Sequence, residues 1–370
     1  MMNPLPRVTF KSKPEDFRVD EIFAYEPAGA GEHVYVHFEK TDLTTEEAVR
    51  RIARATGANQ REVGVAGLKD RRGVTTQQIS LFLPERQHPD LGPITGMAVE
   101  GVRVLSAKRH GNKLRTGHLL GNRFAITLRD VPRSAMRGIV AALELAGRVG
   151  VPNAYGRQRF GRDDDNDKRA LAWLRGDEPG PRDAKRRRFM FSALQSRAFN
   201  EVLSARVSDG TFATPIDGDL LCVHRSGGIF TSENLEEERV RARALEICPT
   251  GPMPGAKMKE PAGQALALER AVTAKVFGEG FDFVRTAPLG EGTRRPLRML
   301  VTELSIEQDA GADGEETGAL RVYFVLPKGA YATTVLASAV DAFEPYDHES
   351  KPESAADDEP GDRADGNTKV

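Results

Sequence analysis

Residues 66–80 read Ala-Gly-Leu-Lys-Asp-Arg-Arg-Gly-Val-Thr-Thr-Gln-Gln-Ile-Ser. One carboxylate, Asp70, stands among Lys69, Arg71 and Arg72, between Gly67 and Gly73, and a strand-like run from Gln78 to Leu83 follows. Nearby cations favour the ionised form of an acid, and the same cations attract phosphate. Two readings compete. Asp70 is either a structural ion pair with Lys69 or Arg72, or a cap on the turn at Gly73, or it is a carboxylate kept charged beside a polyanion. An ionised Asp can attack a carbon electrophile or orient a reacting group. The Lys-Asp dipeptide alone favours the ion pair. Thr75, Thr76, Gln77 and Gln78 add hydrogen-bonding groups directly downstream and shift weight towards function.

Outward from this loop, apolar periodicity sets the elements. His33–Phe38 alternates, with Val34, Val36 and Phe38 on one face, and predicts a strand. Thr44-Thr-Glu-Glu47 predicts a capping box, followed by a helix that buries Val49, Ile52 and Ala53 and ends at Gly57. Further strands are expected at Ile79–Leu83, Val99–Leu105 and Phe124–Leu128. A helix over Ala135–Val149 carries Met136, Ile139, Val140, Leu143 and Ala146 on its apolar face. Strands interleaved with helices imply an α/β or α+β sheet packed by helices.

From Asn153 to Arg298 the texture is helical, with patterns at Asp167–Leu174, Ser192–Val207 and Ala265–Val276. A strand at Leu320–Leu326 and a closing helix at Ala332–Phe343 then resume the earlier pattern. The expected division is a discontinuous core, residues 1–152 and 299–343, around an inserted domain at 153–298. Gln308–Gly318 reads as an exposed hairpin loop. Residues 344–370 are acidic and nearly free of apolar side chains, which predicts a disordered tail.

The net charge of −1 averages unlike parts. Residues 101–200 hold 22 Lys or Arg against 9 Asp or Glu, whereas Asp341–Val370 holds 10 acids and 3 bases. A basic middle and an acidic tail fit a nucleic-acid binder, and cations dispersed over solvated faces fit equally. Cys222 and Cys248 match no metal or redox spacing and read as thiols in a reducing compartment. No apolar run spans a membrane and the N-terminus has no signal-peptide pattern, so the expected address is the cytoplasm. Phosphate loop, metal cluster, nucleophile elbow and dinucleotide fingerprint are all missing, so no metal and no small-molecule cofactor is expected. Without an obvious apolar interface stripe, a monomer is expected.

Other candidates carry alternatives of their own. Phe17, in Lys13-Pro-Glu-Asp-Phe-Arg-Val-Asp-Glu21, is either an aromatic that stacks on an unstacked base or a core residue, the core reading being the heavier. Lys11 alone reads as a solvated cation. Asn122, beside Gly121, is a base-edge reader or a turn residue. The stretch Val151-Pro-Asn-Ala-Tyr-Gly-Arg-Gln-Arg-Phe-Gly161, with Arg157 and Arg159, is a sugar–phosphate grip or a domain hinge. Lys185–Arg188 is a phosphate contact or a solvated helix start.

Taken in order, five motifs resemble the TruD family of tRNA pseudouridine synthases. They are the stretches 13–21 and 66–77, Gly-Asn-Arg-Phe at 121–124, the stretch 151–161, and Leu-Pro-Lys-Gly-Ala-Tyr-Ala-Thr at 326–333. The resemblance covers Lys11 to Ala339. It implies an α+β fold: a pseudouridine synthase core of mixed and antiparallel sheet with flanking helices, interrupted by a family-specific inserted α+β domain at 153–298. It implies a tRNA partner and isomerisation of uridine-13 in the dihydrouridine arm, with no cofactor. Asp70 matches the catalytic aspartate, and Lys11 matches its basic partner. Phe17, Asn122 and Tyr331 match substrate-contact positions. Lys69, Arg71, Arg72, Arg157 and Arg159 are candidate RNA backbone contacts. Two departures stand out: Ala154-Tyr155 replaces a pair of aromatics, and Tyr331 replaces a usual phenylalanine. A non-catalytic RNA-binding protein on the same fold is the alternative; a phosphohydrolase would need a metal cluster or an activated nucleophile pair.

Overall fold

The computed structural model describes residues 4–161, 163–309, 311 and 315–345. The chain begins with β1 (Arg7–Phe10), a 3₁₀ turn over Pro14–Asp16, β2 (Phe17–Phe23) and β3 (His33–Thr41). The capping box is formed: Thr44 accepts from the Glu47 amide, the Glu47 carboxylate accepts from the Thr44 amide, and α1 (Thr45–Thr56) follows. Gly57 closes α1 at φ +73°, a left-handed conformation that glycine adopts without a Cβ clash. Next come β4 (Gly64–Val65), β5 (Val74–Phe82), β6 (Ala98–Val99), β7 (Val102–His110), β8 (Leu119–Pro132) and α2 (Arg133–Val149).

The second stretch runs β9 (Val151–Pro152), α3 (Asn166–Arg175), α4 (Ala184–Ser208), β10 (Leu220–Val223), β11 (Ile229–Thr231), α5 (Leu235–Arg243), β12 (Ile247–Met253), α6 (Gly263–Phe277), β13 (Thr293–Pro296) and β14 (Arg298–Met299). The chain ends with β15 (Thr302–Asp309), β16 (Thr317–Pro327), α7 (Ala332–Leu336) and β17 (Asp341–Phe343).

Eleven strands make the main sheet, in the order β15-β16-β8-β2-β5-β3-β7-β6, with β1 and β17 joined at β8 and β4 at β5. The β2–β5 and β1–β17 pairings are parallel and the rest antiparallel, so the sheet is mixed. Helices α2 and α7 cover one part of it through Met136, Ile139, Leu143, Val335 and Leu336. Helix α1 covers another through Val49 and Ile52, against Val34, Val36 and Phe38. A separate four-stranded sheet, β11-β10-β12-β13, packs with α4 and α6. Helix α4 is buried on many sides by Met190, Phe191, Leu194, Ala198, Phe199 and Leu203, so its hydrophobicity shows no single apolar face. The chain leaves the main sheet at β9 and returns beside it at β14, with Val151 opposite Met299 and Pro152 opposite Arg298.

Two expectations need correction. The closing helix stops at Leu336. The chain then forms β17 alongside β1, because Asp341–Phe343 completes a parallel ladder with Arg7–Thr9. The stretch 153–298 also holds more strand than its helical texture implies. Cys222 and Cys248, distant in sequence, are register partners across β10 and β12 and are both buried free thiols. The 346–370 part of the expected tail lies outside the described residues.

Candidate active site

The loop at 66–73 is fixed from beneath. Lys40, fully buried on β3, donates to the main-chain oxygens of Asp70 and Leu43, each at 2.6 Å. The Lys69 amide donates to Thr45 Oγ1 at 2.9 Å, and that hydroxyl donates to Gln77 Oε1 at 3.0 Å. The Gly73 amide donates to Asp42 Oδ1, and the Gly117 amide to the Ala66 carbonyl. Gly73 has φ +127°, and a Cβ there would lie 2.4 Å from the Phe17 oxygen. Only glycine lets the loop meet the start of β2 this closely.

Phe17 enters through the Pro14–Asp16 turn. Asp16 is buried, accepts from the Lys13 amide, and takes two bonds from the Arg129 guanidinium at 2.8 and 2.7 Å. A bidentate pair of this kind locks the turn onto β8. The Phe17 ring then packs edge-on to Phe10, 5.4 Å between centroids, and near Phe124. It is therefore a core residue that also lines a cleft.

Lys11 sits above it. Its ammonium lies 4.2 Å from the Phe17 ring centroid, 3.6 Å from Asp70 Oδ1 and 3.4 Å from Glu344 Oε1. Its backbone has φ +54°, which for a non-glycine residue costs about 1–3 kcal/mol and is found mainly where surrounding contacts over-determine it. Glu344 reaches this point because β17 runs parallel to β1, with Phe343 opposite Thr9. Sequence alone assigns Glu344 to the tail.

Asp70, Lys11, Phe17, Asn122 and Tyr331 line one cleft of about 480 Å³. Asn122 lies on β8 between Glu21 of β2 and Leu326 of β16. Its Oδ1 is buried and, among the described residues, has no hydrogen-bond partner. Tyr331 precedes α7, and Leu68 projects at the rim with 68% of its surface exposed. Asp70 is open to the cleft, its side chain 54% exposed.

The expected backbone contacts fare differently. Lys69 turns inward: its ammonium is 2.6 Å from Glu21 Oε2, with both side chains buried, so its charge is committed to Glu21. Arg71 is exposed and Arg72 half-buried. Arg159 donates to Ser196 Oγ at 3.2 Å and lies 5.4 Å from the Tyr155 ring centroid. Arg157 begins a short 3₁₀ turn, and its side chain lies outside the described residues. The Ala154-Tyr155 departure gains a partner in Arg295, which lies 4.2 Å over the Tyr155 ring. Burial pushes the Arg295 guanidinium below its usual range, opposed by Tyr155 and Tyr331.

Lys40 and Glu21 escape sequence reasoning, although a signal exists. Lys40 occupies the next inward place after Val34, Val36 and Phe38, and Glu21 the next after Phe17 and Val19. An ionic group at an inward place of an alternating strand needs a buried partner. Burial lowers the Lys40 ammonium to about 8, while the Asp70 charge opposes the shift. Among the described residues, no group of three or more His, Cys, Asp or Glu could hold a metal ion, and no helix is long and apolar enough to cross a membrane.

The family model described as tRNA pseudouridine synthase D (TruD) matches residues 7–175 and 183–338. A tRNA pseudouridine synthase D of Anaeromyxobacter sp. (strain Fw109-5) is 41% identical over 339 residues, 90% of this chain and 93% of its own. One from Methylococcus capsulatus is 38% identical, covering 92% of each chain. The crystal structure of a putative tRNA pseudouridine synthase D from Methanosarcina mazei superposes with a TM-score of 0.70. That match covers 91% of this chain and 94% of the other at 23% identity, and it shows a shared fold.

Proposed function

The chain belongs to the TruD family of tRNA pseudouridine synthases, and we propose that it isomerises uridine-13 of the tRNA dihydrouridine arm with Asp70 as the reacting carboxylate. It is an isomerase whose family acts on tRNA. The observation that carries the proposal is the convergence on one cleft of an open carboxylate, a cation 3.6 Å from it, two aromatic rings and an unpartnered amide oxygen.

Extruding the uridine costs a few kcal/mol, which stacking and phosphate contacts offset. Leu68 at the rim supplies an apolar side chain for the gap left in the stack. An extruded uracil presents an N3–H donor between two carbonyl oxygens. Asn122 Oδ1 accepts that N–H, which satisfies its buried lone pairs, and the amide nitrogen serves a neighbouring carbonyl. Phe17 and Tyr331 wall the base. Lys11 places its ammonium 3.6 Å from Asp70 Oδ1, a direct Coulomb attraction that holds the carboxylate in the cleft.

Asp70 then attacks ribose C1′ or removes a ribose proton; both routes need the ionised carboxylate. The N1–C1′ bond breaks and the uracil turns within the cleft. C5 then bonds to C1′ as the Asp70–C1′ ester bond of the first route breaks, or as Asp70 returns the ribose proton in the second, so the carboxylate is regenerated. The C5 proton leaves to solvent, and N1 takes up a proton. Atoms balance without a second substrate, and the reading uses neither a metal nor a small-molecule cofactor.

In this reading residues 153–298 form the inserted unit between the two parts of the catalytic core, 1–152 and 299–343, supported by the side-by-side departure and return at β9 and β14. The protein acts as a monomer, in the cytoplasm. Carbodiimide mapping tests the site. Unmodified tRNA incubated with the protein should acquire a primer-extension stop diagnostic of pseudouridine at position 13. Tight binding without that stop would favour the non-catalytic RNA-binding alternative.

A further inference from the structure

Beyond the catalytic cleft, a second concavity of about 570 Å³ opens where β2, β7 and the loop into β8 meet. Its size falls in the ordinary range for small-ligand sites. Tyr25 lines it, 37% exposed although fixed at its hydroxyl by Tyr35 Oη at 3.2 Å and His118 Nδ1 at 2.9 Å. The His110 ring stacks on Tyr25 at 5.4 Å and 27°. The Ala28 amide donates to His110 Nδ1 at 3.1 Å, which in the neutral ring leaves the proton on Nε2. Lys113 and Arg115 are exposed on the rim. The acid beside them, Glu26, has Lys108 at 3.9 Å.

Two observations tie this concavity to the catalytic cleft. Consecutive residues serve both: Arg115 and His118 line the second site, while Thr116 and Gly117 between them line the first. Gly117 is also bonded to Ala66 of the Asp70 loop and accepts from Lys328 Nζ at 3.2 Å. A strand of RNA leaving the cleft over this segment meets an aromatic platform with two rim cations, the combination that binds unstacked nucleotides.

We propose that the Tyr25–His110–His118 concavity is a second nucleotide subsite, which stacks an unpaired base of the tRNA close to the target uridine and takes a flanking phosphate on Lys113 and Arg115. The inference rests on the tRNA-modifying reading above and adds a contact outside the reacting centre. Such a contact holds extruded RNA in register and raises affinity without touching the bond being broken.

The test uses full-length protein and tRNA carrying 2-aminopurine in place of a nucleotide flanking the target, read by fluorescence quenching, with tritium release from C5-labelled uridine measured in parallel. Tyr25→Leu should lose the quench and weaken tRNA binding about tenfold, with release at saturating tRNA close to wild type. Tyr25→Phe keeps the ring and should retain both quench and affinity. Lys113→Ala should lower the salt dependence of log affinity by about one unit of slope. An unchanged quench and affinity in Tyr25→Leu would overturn the subsite, as would equal losses in Tyr25→Phe and Tyr25→Leu, which would trace the effect to the hydroxyl. A wild-type protein that quenches but releases no tritium would remove the catalytic reading and leave the subsite standing.

Discussion

At the scale of single residues, the proposed chemistry draws on charges held close together in the cleft. Lys11 stands between Asp70 and Glu344, so Lys11→Met leaves two carboxylates facing each other across the cleft. Single-turnover tritium release should fall by about 10²-fold, the usual loss when one preorganised electrostatic partner is removed. Asn122 gives a prediction of opposite sign for fold and function. Its Oδ1 is a buried acceptor with no partner among the described residues, so Asn122→Ala relieves a desolvated group. The urea midpoint should hold or rise while KM for tRNA increases. Lys40 predicts a pH effect. Its folded value near 8 lies below the unfolded value of 10.5, so the unfolded chain binds more protons between them. Stability therefore rises with pH across about 8 to 10.5, by up to about 3 kcal/mol from this group, and that contribution is lost as pH falls through 8. Urea unfolding of wild type and Lys40→Met over that window should show the rise only in wild type. None of these partnerships can be read from the loop at 66–73 alone, where adjacent Lys69 looks like the natural partner of Asp70. Folding turns Lys69 towards Glu21, and the parallel pairing of β2 with β5 brings Lys11 in from 59 positions upstream.

At the scale of elements, local signals and long-range ones separate cleanly. The capping box at Thr44–Glu47 and the apolar stripe over Ala135–Val149 each lie within one helix, so they are legible and the helices form where expected. Residues 332–343 carry a helical pattern, but its second half is taken by pairing with β1 at the far end of the chain. Strand β12 reads Ile-Cys-Pro-Thr-Gly-Pro-Met, and two prolines argue against a strand with neighbours on both sides. It satisfies that rule by halves: Ile247–Pro249 pairs with β10, and Thr250–Met253 with β13. The resemblance to a family made the Asp70, Asn122 and Tyr331 positions legible together, although they come from separate segments. The loop itself is testable as an element. Gly73→Ala drives a Cβ into the Phe17 carbonyl at a φ that side chains rarely adopt, so it should cost about 2 kcal/mol or more of stability by urea unfolding. Activity should fall further than stability implies, because Phe17 and Asp70 lie on the two segments that Gly73 joins.

At the scale of the molecule, a basic middle and an acidic C-terminus carry opposite charge on one chain. Removing residues 346–370 strips most of that negative charge while keeping Glu344 beside Lys11. Affinity for tRNA should rise at low ionic strength, and the gain should vanish at high salt, where exposed charges are screened. The eleven-stranded sheet is the frame that brings residues 11, 17, 70, 122 and 331 to one cleft, where Asp70 is the proposed reacting carboxylate. Tritium release from tRNA labelled at uridine C5 tests this most directly, comparing wild type with Asp70→Asn, a near-isosteric change that removes the anion. Asp70→Asn should release no tritium while binding tRNA about as well as wild type; release at the wild-type rate would rule out Asp70 as the reacting carboxylate.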